Sequence, residues 1–90
     1  MRNPVYSTQF HRDLKKMEQR GYDIEKLKTV ILLLLNEEIL PQEYKDHPLK
    51  GSWKPHRDLH ITPDWILIYK INGDDCIFSR TGTHADIFYK

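Results

Sequence analysis

The chain has 90 residues, 39% of them hydrophobic and 30% charged, with a net charge of +1. These values fit one small soluble globular domain spanning residues 1–90 and exclude a disordered tail or a fibrous repeat. The longest aliphatic run, Val30 to Leu35, is too short for a membrane span; Met1-Arg2-Asn3-Pro4 lacks a signal peptide's apolar stretch; and the single Cys76 permits no internal disulfide, so a reducing cytoplasm and no membrane partner are expected.

The near-neutral total hides blocks of charge. Residues 1–20 carry five Lys/Arg against two Asp/Glu, residues 21–44 two against five, residues 45–60 four against two, and residues 61–90 three against four. A locally basic surface suits a polyanion or an acidic partner, although the global excess of a nucleic-acid binder is absent.

In chain order, Arg2 to Tyr6 reads as a short edge strand. Ser7 or Thr8 caps a first helix with Phe10, Leu14 and Met17 on one face, stopped by Gly21. Asp23 caps a second, with Ile24, Leu27, Val30, Ile31, Leu34 and Leu35 on one face, so the pair forms a helical hairpin. Leu32 and Leu33 fall off that face; either the helix is packed on two sides or they mark a partner surface. Leu40 to Gly51 reads as a loop. His56–Ile61 alternates His56, Asp58 and His60 with Arg57, Leu59 and Ile61, as a strand does. Thr62-Pro63 turns the chain into an apolar strand, Asp64–Ile71, and Asn72-Gly73 into the return strand Asp75–Thr81. The class is α+β: two N-terminal helices on one face of a small antiparallel sheet.

Two-residue turns at Thr62-Pro63 and Asn72-Gly73 set a register in which His60 pairs with Trp65 and Trp65 with Arg80. That row lies on one face, and Leu59, Ile66, Ile68 and Ile77 lie on the other, against the helices.

Four of the five histidines (His47, His56, His60 and His84) fall in the second half of the chain, with Asp64 and Arg80. Histidine exchanges protons near neutral pH, its ordinary pKa being about 6.5. Cleavage of RNA by its own 2′-hydroxyl needs a base, an acid and a cation for the phosphate. His and Asp supply the first two, Arg80 the third through its planar fork, and the aromatic rings of Trp65 and Phe88 can stack an unpaired base. Each has a plainer alternative. A lone strand histidine is more often a hydrogen-bonded surface residue, Trp53 and Trp65 are more often core, and Asp64 can simply stabilise its turn. A zinc site from His47, His60, His84 and Asp64 competes weakly, because the only close pair, His56 and His60, is spread about 13 Å along a strand. No metal or other cofactor is expected.

Three segments resemble the RelE/ParE superfamily of bacterial toxin–antitoxin toxins, and within it the YafQ-like mRNA interferases. They are Tyr44-Lys-Asp-His47-Pro-Leu-Lys-Gly-Ser-Trp53, Arg57-Asp-Leu-His60-Ile-Thr-Pro-Asp64-Trp65-Ile-Leu-Ile-Tyr-Lys-Ile71 and Arg80-Thr-Gly-Thr-His84-Ala-Asp-Ile-Phe88. The resemblance implies a RelE-like, microbial-RNase-like fold and an endoribonuclease that cuts mRNA on the ribosome, inhibited by a cognate antitoxin. It implies catalytic roles for His47, His60, Asp64, Arg80 and His84, with Phe88 and Trp65 at the substrate, and leaves His56 outside the site. The small net charge departs from more basic members. A sister branch that acts on DNA gyrase lacks these histidines; it and a plain protein-interaction module are the alternatives.

Overall fold

The structure, a computed structural model, describes residues 1–88. The elements follow as β1 (Asn3–Tyr6), α1 (Thr8–Gln19), α2 (Ile24–Leu35), β2 (His47–Pro48), β3 (Arg57–Thr62), β4 (Trp65–Asn72), β5 (Asp75–Thr83) and α3 (His84–Phe88), with short 3-10 turns at Gln42–Tyr44 and Gly51–Trp53. Both long helices begin where capping chemistry predicts. Ser7 accepts from the Phe10 amide and Asp23 from the Glu25 amide, each satisfying a helix-end donor that would otherwise lack a partner. Gly21, at φ +83°, makes the turn between them.

The strand order is β1-β5-β4-β3-β2. The sheet was expected to be antiparallel and is mixed, because β1 runs parallel to β5, with Asn3 opposite Asp75 and Tyr6 opposite Phe78. Parallel neighbours require a crossover, and here α1, α2 and the rest of the sheet intervene between the two strands.

The register also corrects the expected pairing. Thr62 pairs with Trp65, so the first turn is Pro63-Asp64, and Ile61 bulges between the His60–Ile66 and Thr62–Trp65 pairs. The second turn is Gly73-Asp74, with Asn72 opposite Asp75, and Ser79 bulges between the Tyr69–Phe78 and Ile68–Arg80 pairs. A one-residue slip exchanges the faces of a strand. The helices therefore cover Leu59, Ile61, Trp65, Leu67, Tyr69, Cys76 and Phe78, which form the main core with Phe10, Met17, Leu27, Val30, Ile31, Leu34 and Leu35. Ile66 and Ile68 lie on the opposite face, in a second small core with Ile87 of α3, flanked by Leu49 and Trp53. Burying each such side chain contributes about 1.5–3 kcal/mol. Leu32 stays 52% exposed, while Leu33 is half-buried. No helix of the described residues is long and apolar enough to cross a membrane.

Candidate active site

Three histidines converge on the sheet face away from α1 and α2, brought there by separate elements. His47 comes from β2, which pairs it with Asp58. The turn before it is held from the far side of the sheet. The Asp46 carboxylate accepts from Arg57 Nε (3.2 Å) and Nη2 (3.0 Å) and from the Tyr69 hydroxyl (2.6 Å), and Lys45 adopts a left-handed conformation at φ 48°. His60 comes from β3, two residues past Asp58 and therefore on the same face. His84 opens α3. That short helix is anchored by a reciprocal cap in which Thr83 Oγ1 accepts from the Asp86 amide (3.2 Å) and Asp86 Oδ2 from the Thr83 amide (2.9 Å).

The rings sit close. His60 is 5.3 Å from His84 and 6.1 Å from His47, centroid to centroid. In each histidine Nδ1 is committed: His47 donates to the Lys45 carbonyl (2.7 Å), His60 to the Pro63 carbonyl (3.3 Å) and His84 to Asp64 Oδ1 (2.8 Å). A carbonyl or carboxylate oxygen can only accept, so Nδ1 carries the proton in the neutral ring. Nε2 is left as the atom that gains and loses one.

The Nε2 atoms of His47 and His60 face Asp58, at 3.8 Å and 4.0 Å. Asp58 is 4% exposed and its Oδ1 has no hydrogen-bond partner. Burial pushes its pKa up, against the opposing pull of His60, His47 and His84. Asp64 is the contrary case: fully at the surface, its carboxyl is held below the ordinary value by the hydrogen bonds from His84. Two carboxylates with pKa values driven apart beside three imidazoles can divide acid–base work. One ligand atom from each of Asp58, His60 and His84 lies within 4.8 Å of the others, a spacing that among the described residues could hold a metal ion.

The expected site residues are partly united. His47, His60, Asp64 and His84 lie together. Phe88, 37% exposed, meets His84 at 6.2 Å and Trp53 at 5.9 Å in a T-shaped contact. Trp65 is not at the site. It is 1% exposed on the helix face, with its indole N–H donating to Thr81 Oγ1 (2.9 Å) and its ring against Tyr22, so it has no open face on which a base can stack. Arg80 is also outside the cluster, because its guanidinium turns to Asp13 of α1. The expected row of His60, Trp65 and Arg80 is thus replaced by Asp58, Ile68 and Arg80, since both turns lie one residue further along and each hairpin carries a one-residue bulge, at Ile61 and Ser79. His56 serves structure, its ring bridging the Trp53 carbonyl and Ser79 Oγ. Asp58 is the group that sequence reasoning passed over, although the alternation of His56, Asp58 and His60 had placed it on the right face.

Over residues 2–89 the sequence matches the family described as bacterial toxin of a type II toxin–antitoxin system, YafQ. The chain belongs to the YafQ toxin family. The mRNA interferase toxin YafQ of Escherichia coli is 51% identical over 88 residues, covering 97% of this chain and 96% of that protein. YafQ in the crystal structure of the E. coli DinJ–YafQ complex superposes with a TM-score of 0.91 at 50% identity, covering 98% of this chain and 99% of that one. A metal-bound toxin from Helicobacter pylori has a TM-score of 0.92 at 37% identity, covering 98% of this chain and all of the other. The helices-on-sheet arrangement described above is therefore the YafQ, RelE-like fold.

Proposed function

We propose that this protein is the toxin of a type II toxin–antitoxin pair and an endoribonuclease that cuts mRNA by attack of a 2′-hydroxyl on the adjacent phosphorus. One observation carries the reading: three histidines with Nδ1 committed and Nε2 free, gathered around a buried carboxylate. In this mechanism His60 takes the proton of the 2′-hydroxyl, and Asp58 stabilises the imidazolium that results. His84, oriented by Asp64, gives a proton to the departing 5′-oxygen. His47 shares proton transfer or holds a phosphate oxygen, Phe88 stacks on a base, and Arg80 serves the phosphate backbone. The names of its relatives support the activity, since the E. coli protein is called an mRNA interferase. A cognate antitoxin follows from the DinJ–YafQ complex, and the ribosome is the expected setting for mRNA cleavage in the cytoplasm.

The chemistry runs on protein groups alone, so the enzyme acts without a metal. An ion such as that in the H. pylori toxin, bound here to Asp58, His60 and His84, would occupy the atoms that must exchange protons and would inhibit. Chelation should leave cleavage intact, and added zinc should slow it. The direct test measures cleavage of mRNA, with and without ribosomes, by the parent, His60→Ala and His84→Ala. Each variant should lose about 10²- to 10⁴-fold in rate, the usual contribution of one acid–base group. Folded variants that cut like the parent would remove the site assignment. Intact transcripts together with trapped gyrase–DNA complexes would remove the function.

A further inference from the structure

Arg80 begins on the site face and leaves it. Its place opposite Ile68, itself opposite Asp58, sets its Cα two strand spacings, about 10 Å, from that of Asp58. Ile68 between them is fully buried with Ile87 in the second core, which walls the arginine off from the histidines. The guanidinium instead runs over the edge of β5, where Nε donates to Asp13 Oδ2 (2.7 Å) and Nη2 to Asp13 Oδ1 (3.2 Å).

Asp13 is a fixed anchor. It is 7% exposed and also accepts from the Thr81 amide (3.1 Å) and from Gln9 Nε2 (3.0 Å). Of the five guanidinium hydrogens, Asp13 takes the Nε hydrogen and one on Nη2. Both hydrogens of Nη1 and the second of Nη2 remain, and they form the end of the fork that grips two oxygens at once.

Arg80 lines a hollow of about 140 Å³ with Arg12, Lys16 and Gln9. The second acid there, Asp86, is engaged elsewhere. It bonds Arg20 at 2.7 Å and caps Thr83, and these contacts outweigh its partial burial to hold its pKa at about 2. Lys16 touches it only at 4.0 Å, and among the described residues Arg12 has no ion pair. The hollow thus presents three cations whose neighbouring acids are already satisfied. Such a site attracts an anion, and its donors match phosphate oxygens.

Resting on the reading that this chain cuts RNA, we infer that Arg80, pinned by Asp13 and joined by Arg12 and Lys16, forms a separate subsite for a backbone phosphate of the RNA strand away from the scissile bond. Asp13 is its positioning residue. A contact of this kind binds ground state and transition state alike, so it governs KM and leaves kcat.

The test uses a single-stranded RNA long enough to span both places, a short RNA limited to the nucleotides around the scissile bond, and a 2′-O-methyl-blocked long RNA as a non-cleavable binding probe. Arg12→Ala and Lys16→Ala lie on the exposed face of α1 and keep the fold. Arg80→Ala and Asp13→Asn are checked by thermal melting. For Arg80→Ala we expect roughly a tenfold rise in KM and in Kd for the long RNAs, kcat within twofold, and no change on the short RNA. Its log Kd against log salt should become shallower by about 0.7, the slope for one phosphate on a single strand. Asp13→Asn should reproduce the KM effect in the parent and add little in the Arg80→Ala background. A fall in kcat at unchanged KM, or equal losses on long and short RNA, would place Arg80 at the reacting bond and overturn the inference while sparing the proposed function. Unchanged RNA kinetics with weakened antitoxin binding would make the hollow a protein-docking surface. A parent that neither binds nor cleaves RNA would overturn both.

Discussion

Replacing Asp58 by Asn should make the protein more stable and far less active. Asp58 is 4% exposed, its Oδ1 has no partner, and the nearest imidazole nitrogens stand at 3.8 and 4.0 Å, beyond hydrogen-bond length. Burial raises its pKa. In the pH range between the ordinary carboxylate value and this raised one, the folded chain holds a proton that the unfolded chain has released. The contribution of Asp58 to stability is therefore greatest below the ordinary value and is lost as pH rises through the folded one. At pH 7 the fold carries a buried, poorly partnered charge. An unpaired buried acceptor costs about 1–3 kcal/mol, and more when charged, so removing the charge should return on the order of 1 kcal/mol. For a domain of this size that is about 4–8 °C in Tm. Thermal melts of parent and Asp58→Asn across pH 3.5 to 8 measure it. The variant's advantage should be present at pH 7 and shrink as pH falls toward 4. Single-turnover RNA cleavage should drop at least 10²-fold, because the imidazolium of His60 loses its counter-charge. A variant less stable than the parent at pH 7, or a difference that does not move with pH, would refute this account of the buried carboxylate.

Two further changes probe the supports of the site. Tyr69→Phe removes the 2.6 Å hydrogen bond to Asp46, a bond to a charged group that contributes about 2 kcal/mol. Tm should fall by roughly 10 °C, and cleavage should weaken by less than in His47→Ala, since Arg57 still holds Asp46. Thr83→Val keeps the shape and deletes the cap of α3, at a cost of about 1 kcal/mol. Hydrogen exchange should quicken in α3 ahead of the sheet, with a loss of cleavage because His84 and Phe88 ride on that helix.

Much of this molecule is legible from its residues, and the failures have specific causes. Ser7 and Asp23 announce the two long helices because a short polar acceptor before an amphipathic run has little else to do. Asp64 and His84 share the set that the family resemblance implied, but their contact is visible only in the structure, where Asp64 stands at the turn and escapes the strict alternation that would put it behind the sheet. Register does not follow. Thr62-Pro63 and Asn72-Gly73 are both plausible turns, yet each true turn lies one residue later, and the bulges at Ile61 and Ser79 are invisible to a count with period two. Moving a turn by one residue shifts the pairing by two and keeps the faces; the one-residue bulges exchange them, and that put Trp65 in the core and Ile66 out of it. The parallel pairing of β1 with β5 is a tertiary choice that no local pattern encodes. The helix α3 was missed although Thr83-His84-Ala85-Asp86 is a capping box in plain view; five residues are too few for hydrophobic periodicity to register.

The seating of β1 beside β5 also dictates when this enzyme comes into being during synthesis. Asn3 must wait for Asp75 before its ladder can close, and contacts so distant along the chain form slowly. The apolar faces of α1 and α2 leave the ribosome well before β4 and β5, the strands that will cover them, and are exposed to aggregation in the interval. The histidine cluster follows the same calendar, because His84 trails β5 and can meet His60 only after the central strands have paired. A nascent chain lacking that final hairpin thus carries His47 and His60 without their partner.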